Sequence, residues 1–428
     1  MTLLAQTACG GRRPSSGSAS CLRDGGGEGC RAGRALKSAS WVTVSPDGHS
    51  VYVGAPDSRA VAVFARASRT RALVQLRGRA GCVAQGGADG CAPGRGLSRA
   101  RPVVVAPDGR SVYAGTSPGV AVFARDPATG ALRQLPGRAG CVVVVAREGC
   151  ATGRGVEGVR ALTVSRDGRF LYVATNSSKA VTVFARLPGS GALRQLPGAA
   201  GCLSERPRTG CGRGRGLNGG RGVALSPDQR FVYVAAESGD SVAVFARSPR
   251  TGALRQLPGH AGCLQARGDE GCARARALAN PHQLAIGPDG RFAYVAADDS
   301  NGVAVLARSA ATGTLRQLPG RAGCVQEGGH DGCTAGRALG DAHSLALTPD
   351  GRILYVAGNA SDAIAVFAVD RRSGTLRQLP GTRGCVGPSG RCTPAPGLDG
   401  VHQVAVSPNG REVYAASEVA NTVVTLAR

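Results

Sequence analysis

One four-residue turn returns seven times along the chain. It reads SPDG at Ser45, APDG at Ala106, SRDG at Ser165, SPDQ at Ser226, GPDG at Gly287, TPDG at Thr348 and SPNG at Ser407, at intervals of 61, 59, 61, 61, 61 and 59 residues. Self-similarity at a fixed period means that each unit buries its apolar face against its neighbours rather than alone. That overrides the prior of two or three domains that 428 residues would suggest.

Each repeat holds the same four apolar runs. In the fourth they are GVALS, RFVYVAA, SVAVFAR and GALRQL, short, valine-rich and bounded by Gly, Pro, Asp and Ser. This is how strands read, and no stretch has a helical period. Ser-Pro-Asp-Gly suits a type I turn, with proline fixing φ and glycine tolerating positive φ. Four strands repeated seven times predict an all-β, seven-bladed β-propeller of four antiparallel strands per blade. One propeller over 1–428 is expected, with blade cores at about 39–79, 100–138, 159–199, 220–260, 281–321, 342–382 and 401–428. The chain finishes on VVTLAR, which matches only a third strand. Its missing partner is expected at residues 2–6 (TLLAQ), pairing into the last blade and leaving no open edge.

Fourteen of the fifteen cysteines fall in pairs, one per repeat, in glycine-rich loops between an outer strand and the next inner strand. The pairs are Cys21/Cys30, Cys82/Cys91, Cys141/Cys150, Cys202/Cys211, Cys263/Cys272, Cys324/Cys333 and Cys385/Cys392. Zinc sites favour C-x₂₋₄-C spacing and four converging ligands, whereas each loop here offers two sulfurs on its own blade. Seven intraloop disulfides are expected, each limiting the unfolded loop by about 2.5 kcal/mol. Disulfides persist in oxidising compartments, which predicts an extracellular or periplasmic protein. The opening MTLLAQTACGG is too short for a signal-peptide core, a gap that a truncated start would reconcile. Cys9 is left over.

The net charge is +24, and only Lys37 and Lys179 among the 52 basic residues are lysines. Coding bias and attraction to acidic partners both produce this, but no basic run of nucleic-acid type occurs. Nucleic acid is therefore excluded as a partner, and no stretch is apolar enough for a membrane span. A monomer is expected.

The combination SPDGR-[FSI]-[VL]-Y-V-A, VAVFAR and TGALRQLPG resembles the β-propeller lactonase family and YVTN-repeat propellers, across all seven repeats. WD-type and kelch signatures are missing. The resemblance implies either 6-phosphogluconolactonase or carboxymuconate-lactonising chemistry on small anions near the central channel, or a secreted propeller without chemistry. Its motifs are turn and strand signatures, specific for fold and weak for activity.

Five residues before each turn motif stand Ser40, Arg101, Arg160, Arg221, His282, His343 and His402, with the single tryptophan, Trp41, beside Ser40. In a propeller this position surrounds the channel mouth, together with the loops carrying Glu237, Asp240, Asp298, Asp299, Asp362 and Glu418. Three readings compete. The first is plain channel lining, with arginines paired to those acids. In the second, Arg101, Arg160, Arg221, Ser40 and Trp41 bind a small or polymeric anion, with His282, His343, His402, Glu237 and Asp298 as catalytic groups. A trio of imidazoles on a divalent metal ranks last, because blades around a wide axis are expected to hold them too far apart unless they lean inward. No G-x-S-x-G elbow, P-loop or dinucleotide fingerprint occurs, so no cofactor is expected.

Near-equal blades supply little of the asymmetry an enzyme site needs. The sequence therefore favours an exported binding or structural module for an anionic ligand. The alternative is a lactonase or lactonising enzyme acting on a carboxylated or phosphorylated sugar acid or a muconate-like substrate.

Overall fold

The computed structural model describes residues 20–67 and 72–428. Seven sheets form a seven-bladed β-propeller, as the repeat predicts. Inner strands touch their neighbours all the way round, including Val401–Val406 against Trp41–Val44. Second strands such as Phe170–Thr175 and Phe231–Ala236 are buried at every residue. Adjacent blades cover both faces, so these strands read as continuous apolar runs rather than alternating ones.

The core lies between blades. Tyr52, Val61 and Val63 of one blade cluster with Val103, Val112 and Phe123 of the next. Seven fully buried tyrosines, one per blade from Tyr52 to Tyr414, carry much of this packing, each side chain contributing about 2 kcal/mol. Scarce aromatics suffice because the repeat puts one at every seam.

The recurring turn is a latch as well as a bend. Ser45 Oγ donates to Asp47 Oδ1 at 2.5 Å and accepts the Ser50 amide at 2.9 Å, while Gly48 takes φ +72°. Asp47 Oδ2 then accepts Arg125 Nη2 of the next blade at 2.8 Å, and Arg125 Nε donates to Tyr52 Oη at 2.7 Å. Tyr52 Oη in turn donates to the Gly130 carbonyl at 2.8 Å. The same Tyr–Arg–Asp set joins later seams through Arg186, Arg247 and Arg308. Asn409 breaks the pattern in the last turn, and Arg66 pairs with Glu412 instead. A second arginine column serves the loops: Arg95 exchanges backbone hydrogen bonds with Gln134, and Arg154, Arg215, Arg276 and Arg337 do likewise with the outer-strand glutamine of the following blade. Much of the arginine excess is therefore structural.

All seven predicted disulfides are present: Cys21–Cys30, Cys82–Cys91, Cys141–Cys150, Cys202–Cys211, Cys263–Cys272, Cys324–Cys333 and Cys385–Cys392. Their Cα–Cα distances run from 4.7 to 4.9 Å. The expectation that both members of a pair lie in the loop is corrected for the first of each. Cys21, Cys82, Cys141, Cys202, Cys263, Cys324 and Cys385 belong to strands. The loop holds the second members, and each closes a tight turn with its own amide. Cys30 donates to the Gly27 carbonyl, and Cys91, Cys150, Cys211, Cys272, Cys333 and Cys392 likewise donate to the residue three before them.

These connections are also more ordered than their polarity suggested. The outer strand is split: Leu193–Gln195 pairs with the C-terminal half of the third strand, a 3₁₀ turn follows, and Cys202–Ser204 pairs with the N-terminal half. Residues after the second cysteine add a short parallel strand, Gly212–Arg213. Each disulfide thus ties a loop turn to the blade's outer edge.

The ring closes through the segment Ser20–Asp24, antiparallel to Thr422–Ala427 with Cys21 opposite Val424. It occupies the place of the cysteine half of the outer strand. The pairing expected of residues 2–6, and Cys9, lie outside the described residues. Among the described residues no helix is long and apolar enough to cross a membrane.

Candidate functional site

In five blades the residue aligned at the channel mouth is the extra residue of a β-bulge. Register shifts fall between Val159 and Ala161, Gly220 and Gly222, Pro281 and Gln283, Ala342 and Ser344, and Val401 and Gln403. A bulged residue is released from strand alternation and re-aimed. Arg160, Arg221, His282, His343 and His402 are so turned inward, and with Arg101 and Trp41 they line one small cleft. Gln283, Ser344 and Gln403 lie beneath, accepting the amides of Leu345, Val404 and Val42 and tying inner strands together.

The mouth is divided by chemistry. On one side Arg101 meets Glu418 at 3.3 Å and His402 Nε2 at 3.4 Å. Arg221 donates to Glu237, which also accepts from Asn176. Arg160 has no carboxylate partner, and its Nε is buried without a hydrogen bond. Burial, then the nearby Arg221 and Arg101, lowers its pKa to about 10. It is a cation held among cations.

On the other side the imidazoles touch. The rings of His282 and His343 are 4.1 Å apart and those of His343 and His402 are 4.0 Å apart. The expectation that blades would hold them too far apart is corrected: the bulges lean all three toward the axis. His282 Nδ1 lies 3.1 Å from His343 Nδ1, and Asp298 stands 3.6 Å from both His282 Nε2 and His343 Nδ1. Burial, against the pull of Glu237, lowers the His282 pKa to about 4, so the ring is neutral at pH 7. His402 is likewise driven well below the ordinary histidine range, first by burial and then by His343 and Arg101. Burial opposes the charge of Glu237, yet contact with His282 and Arg221 outweighs it and holds the carboxyl at about 2.

Ser40 is the displaced member of the predicted set. It is fully buried behind the mouth, and Trp41 takes the lining position, its Nε1 donating to the Val103 carbonyl at 3.0 Å. Blade 1 shows no register shift there, so its residue is not turned inward. Among the acids, Glu237, Asp298 and Glu418 reach the site. Asp240 and Asp362 instead accept the amides of Asn280 and Gly400 in the following blade. Asn176 was missed in the sequence, although it occupies the column of Glu237 and Asp298 directly after the second strand.

The fold defines a class, the seven-bladed β-propellers, and comparison with known proteins shows which members the chain is similar to. Residues 214–266 match the family described as "Lactonase, 7-bladed beta-propeller". The resemblance drawn from the turn and strand motifs is thereby shown. Among particular proteins, a 6-phosphogluconolactonase of Pectobacterium carotovorum is 25% identical over 281 residues, 64% of this chain and 68% of the relative. A solved structure described as a candidate 6-phosphogluconolactonase of Bacteroides uniformis is 20% identical with a TM-score of 0.57, covering 85% of this chain and 86% of that one. The periplasmic gluconolactonase of Pseudomonas aeruginosa is 22% identical with a TM-score of 0.54, covering 79% and 83%. Kuenenia stuttgartiensis hydrazine synthase is similar too, at 16% identity and a TM-score of 0.56 over 94% and 98%. Likeness at these identities shows the fold alone.

Proposed function

We propose that the channel mouth binds a carboxylated or phosphorylated sugar-acid lactone and opens its ring with water. The carrying observation is Arg160, a partly buried arginine beside Arg101 and Arg221 whose Nε is buried without a hydrogen bond and which has no carboxylate partner. A buried unpaired charge is costly unless a ligand supplies its counter-ion, and a guanidinium fork matches carboxylate or phosphate. Across the mouth, neutral His282 and the His343–Asp298 pair provide a base for a water attacking the lactone carbonyl. The water oxygen bonds to the carbonyl carbon, the ring C–O bond breaks, and the proton passes through the imidazole to the departing alkoxide. In this reading Arg101 stabilises the developing oxyanion.

The Arg/His division, visible in the aligned repeats, is gathered into one cleft, and this asymmetry favours the enzyme over a simple binding module. The Pectobacterium relative's name points the same way. Seven disulfides imply an oxidising environment, and export to the periplasm or the cell exterior fits them.

The test is background-corrected hydrolysis of glucono-δ-lactone and its 6-phosphate. Arg160→Ala is expected to raise KM on the phosphorylated substrate by about 10- to 100-fold, the worth of one charge-assisted pair. His343→Ala is expected to lower kcat. Turnover untouched by both changes removes this site. Phosphate or gluconate protection against heating without any turnover would leave the anion-binding module instead.

A further inference from the structure

The histidine side of the mouth has an unmet charge and unmet ligand atoms. Arg101 pairs with Glu418 and Arg221 with Glu237, which leaves Asp298 facing only imidazoles. His282, only 4% exposed, makes no hydrogen bond through Nε2, with oxygens of Glu237 and Asp298 standing off at 3.5 and 3.6 Å, and Asp298 Oδ1 is buried without one as well. An imidazole nitrogen and a carboxylate oxygen, both desolvated and without hydrogen bonds, are costly unless something bridges them.

The spacing suits a single ion. One ligand atom each from His282, Asp298 and His343 lies within 4.8 Å of the others. The two imidazole–carboxylate separations are 3.6 Å. Those separations engage different oxygens of Asp298, so ligation through one oxygen, with tetrahedral bonds of 2.0–2.1 Å and ligand atoms roughly 3.3 Å apart, needs side-chain shifts of up to about 1.5 Å. The cleft itself holds about 30 Å³, the room of one water or one ion.

We propose that His282, His343 and Asp298 bind one divalent first-row cation, with a water in the open position. Two imidazoles and one carboxylate suit zinc, cobalt or manganese rather than calcium, whose ligands are oxygens. The three residues come from two adjacent blades, His282 and His343 from bulges and Asp298 from the loop between second and third strands of its blade. This rests on the ring-opening reading and changes one part of it: with the ion bound, these residues are its ligands and the ion, rather than a free imidazole, activates the water, while ion binding itself stands without that reading. A bound cation lowers the pKa of its water, the hydroxide bonds to the lactone carbonyl carbon, the ring C–O bond breaks, and the water's proton ends on the released alcohol oxygen.

The experiment is titration of chelator-treated, disulfide-intact protein with Co²⁺ and Zn²⁺. It is followed by calorimetry and, for Co²⁺, by visible absorption, with lactone hydrolysis assayed in parallel. The expected result is one equivalent per chain, a raised melting temperature on binding, and at least tenfold weaker affinity in Asp298→Asn and His343→Ala. Circular dichroism confirms that the variants fold. Absence of stoichiometric binding to the wild type overturns the proposal. So does undiminished binding in the folded variants, which would place the ion elsewhere, for instance at the loop histidines His260 or His330. Ion binding without lactone turnover sinks the ring-opening reading and leaves the metal site. Turnover that persists without any ion binding does the reverse.

Discussion

At the scale of single residues, burial decides the chemistry of the mouth. His282 titrates near 4 in the folded protein against 6.5 unfolded, so between those values only the unfolded chain gains its proton. Its contribution to stability is fully present above about pH 6.5 and is lost as pH falls toward 4, with a slope of up to about 1.4 kcal/mol per pH unit. Denaturation midpoints between those pH values check this. His282→Gln is expected to flatten the slope, and an unchanged slope would mean the ring is solvated. Glycines bear on the site too. A Cβ at Gly54 would stand 2.0 Å from the Arg101 carbonyl oxygen, so the strand that supports Arg101 needs glycine there for close approach.

Among the elements, the seam between the fifth and sixth blades departs from the latch. Val369 stands where Arg125, Arg186, Arg247 and Arg308 stand in other blades, and Gly287 replaces the turn serine. Asp289 consequently lacks the guanidinium its counterparts have, and a groove of about 640 Å³ opens beside Val369, Asp289 and Arg352. Val369→Arg is expected to restore the latch and stabilise the protein by about 1 kcal/mol, read as a higher urea midpoint. Arg308→Met, which removes the cation shared by Asp228 and Tyr233 while leaving their bonds to Ser226 and Gly313, is expected to cost about 1–2 kcal/mol. Equal and negligible effects would deny the latch an energetic role. The clamped outer edge makes its own prediction. Replacing Cys141 and Cys150 by serine is expected to cost about 2.5 kcal/mol and to increase hydrogen exchange in Cys141–Val143, the strand that the bridge holds.

For the whole molecule, closure is the vulnerable step. Leu22 is buried against Val423, Tyr414 and Leu36, where the first described strand meets the last. Leu22→Asp puts an unpaired charge into that junction and is expected to expose the amides of Thr422–Ala427 to exchange before those of other blades. Uniform exchange across all blades would show that closure is no weaker than any other seam.

Much was legible in the chain because repetition exposes it. Seven turns, seven tyrosines and seven cysteine pairs recur in register, and local chemistry alone accounts for the bend, the strand and the crosslink. The aligned Arg and His column was legible for the same reason, down to its residue numbers. Three things needed the fold. Bulges, which sequence spacing does not reveal, turned that column inward and brought the imidazoles to about 4 Å. Pairing across blades separated Glu237, Asp298 and Glu418 at the mouth from Asp240 and Asp362 on neighbouring backbones. Desolvation then left Arg160 without a carboxylate and Asp298 without a guanidinium. Which charge stays unpaired depends on distances between chain segments about 60 residues apart, and only the closed ring sets those distances.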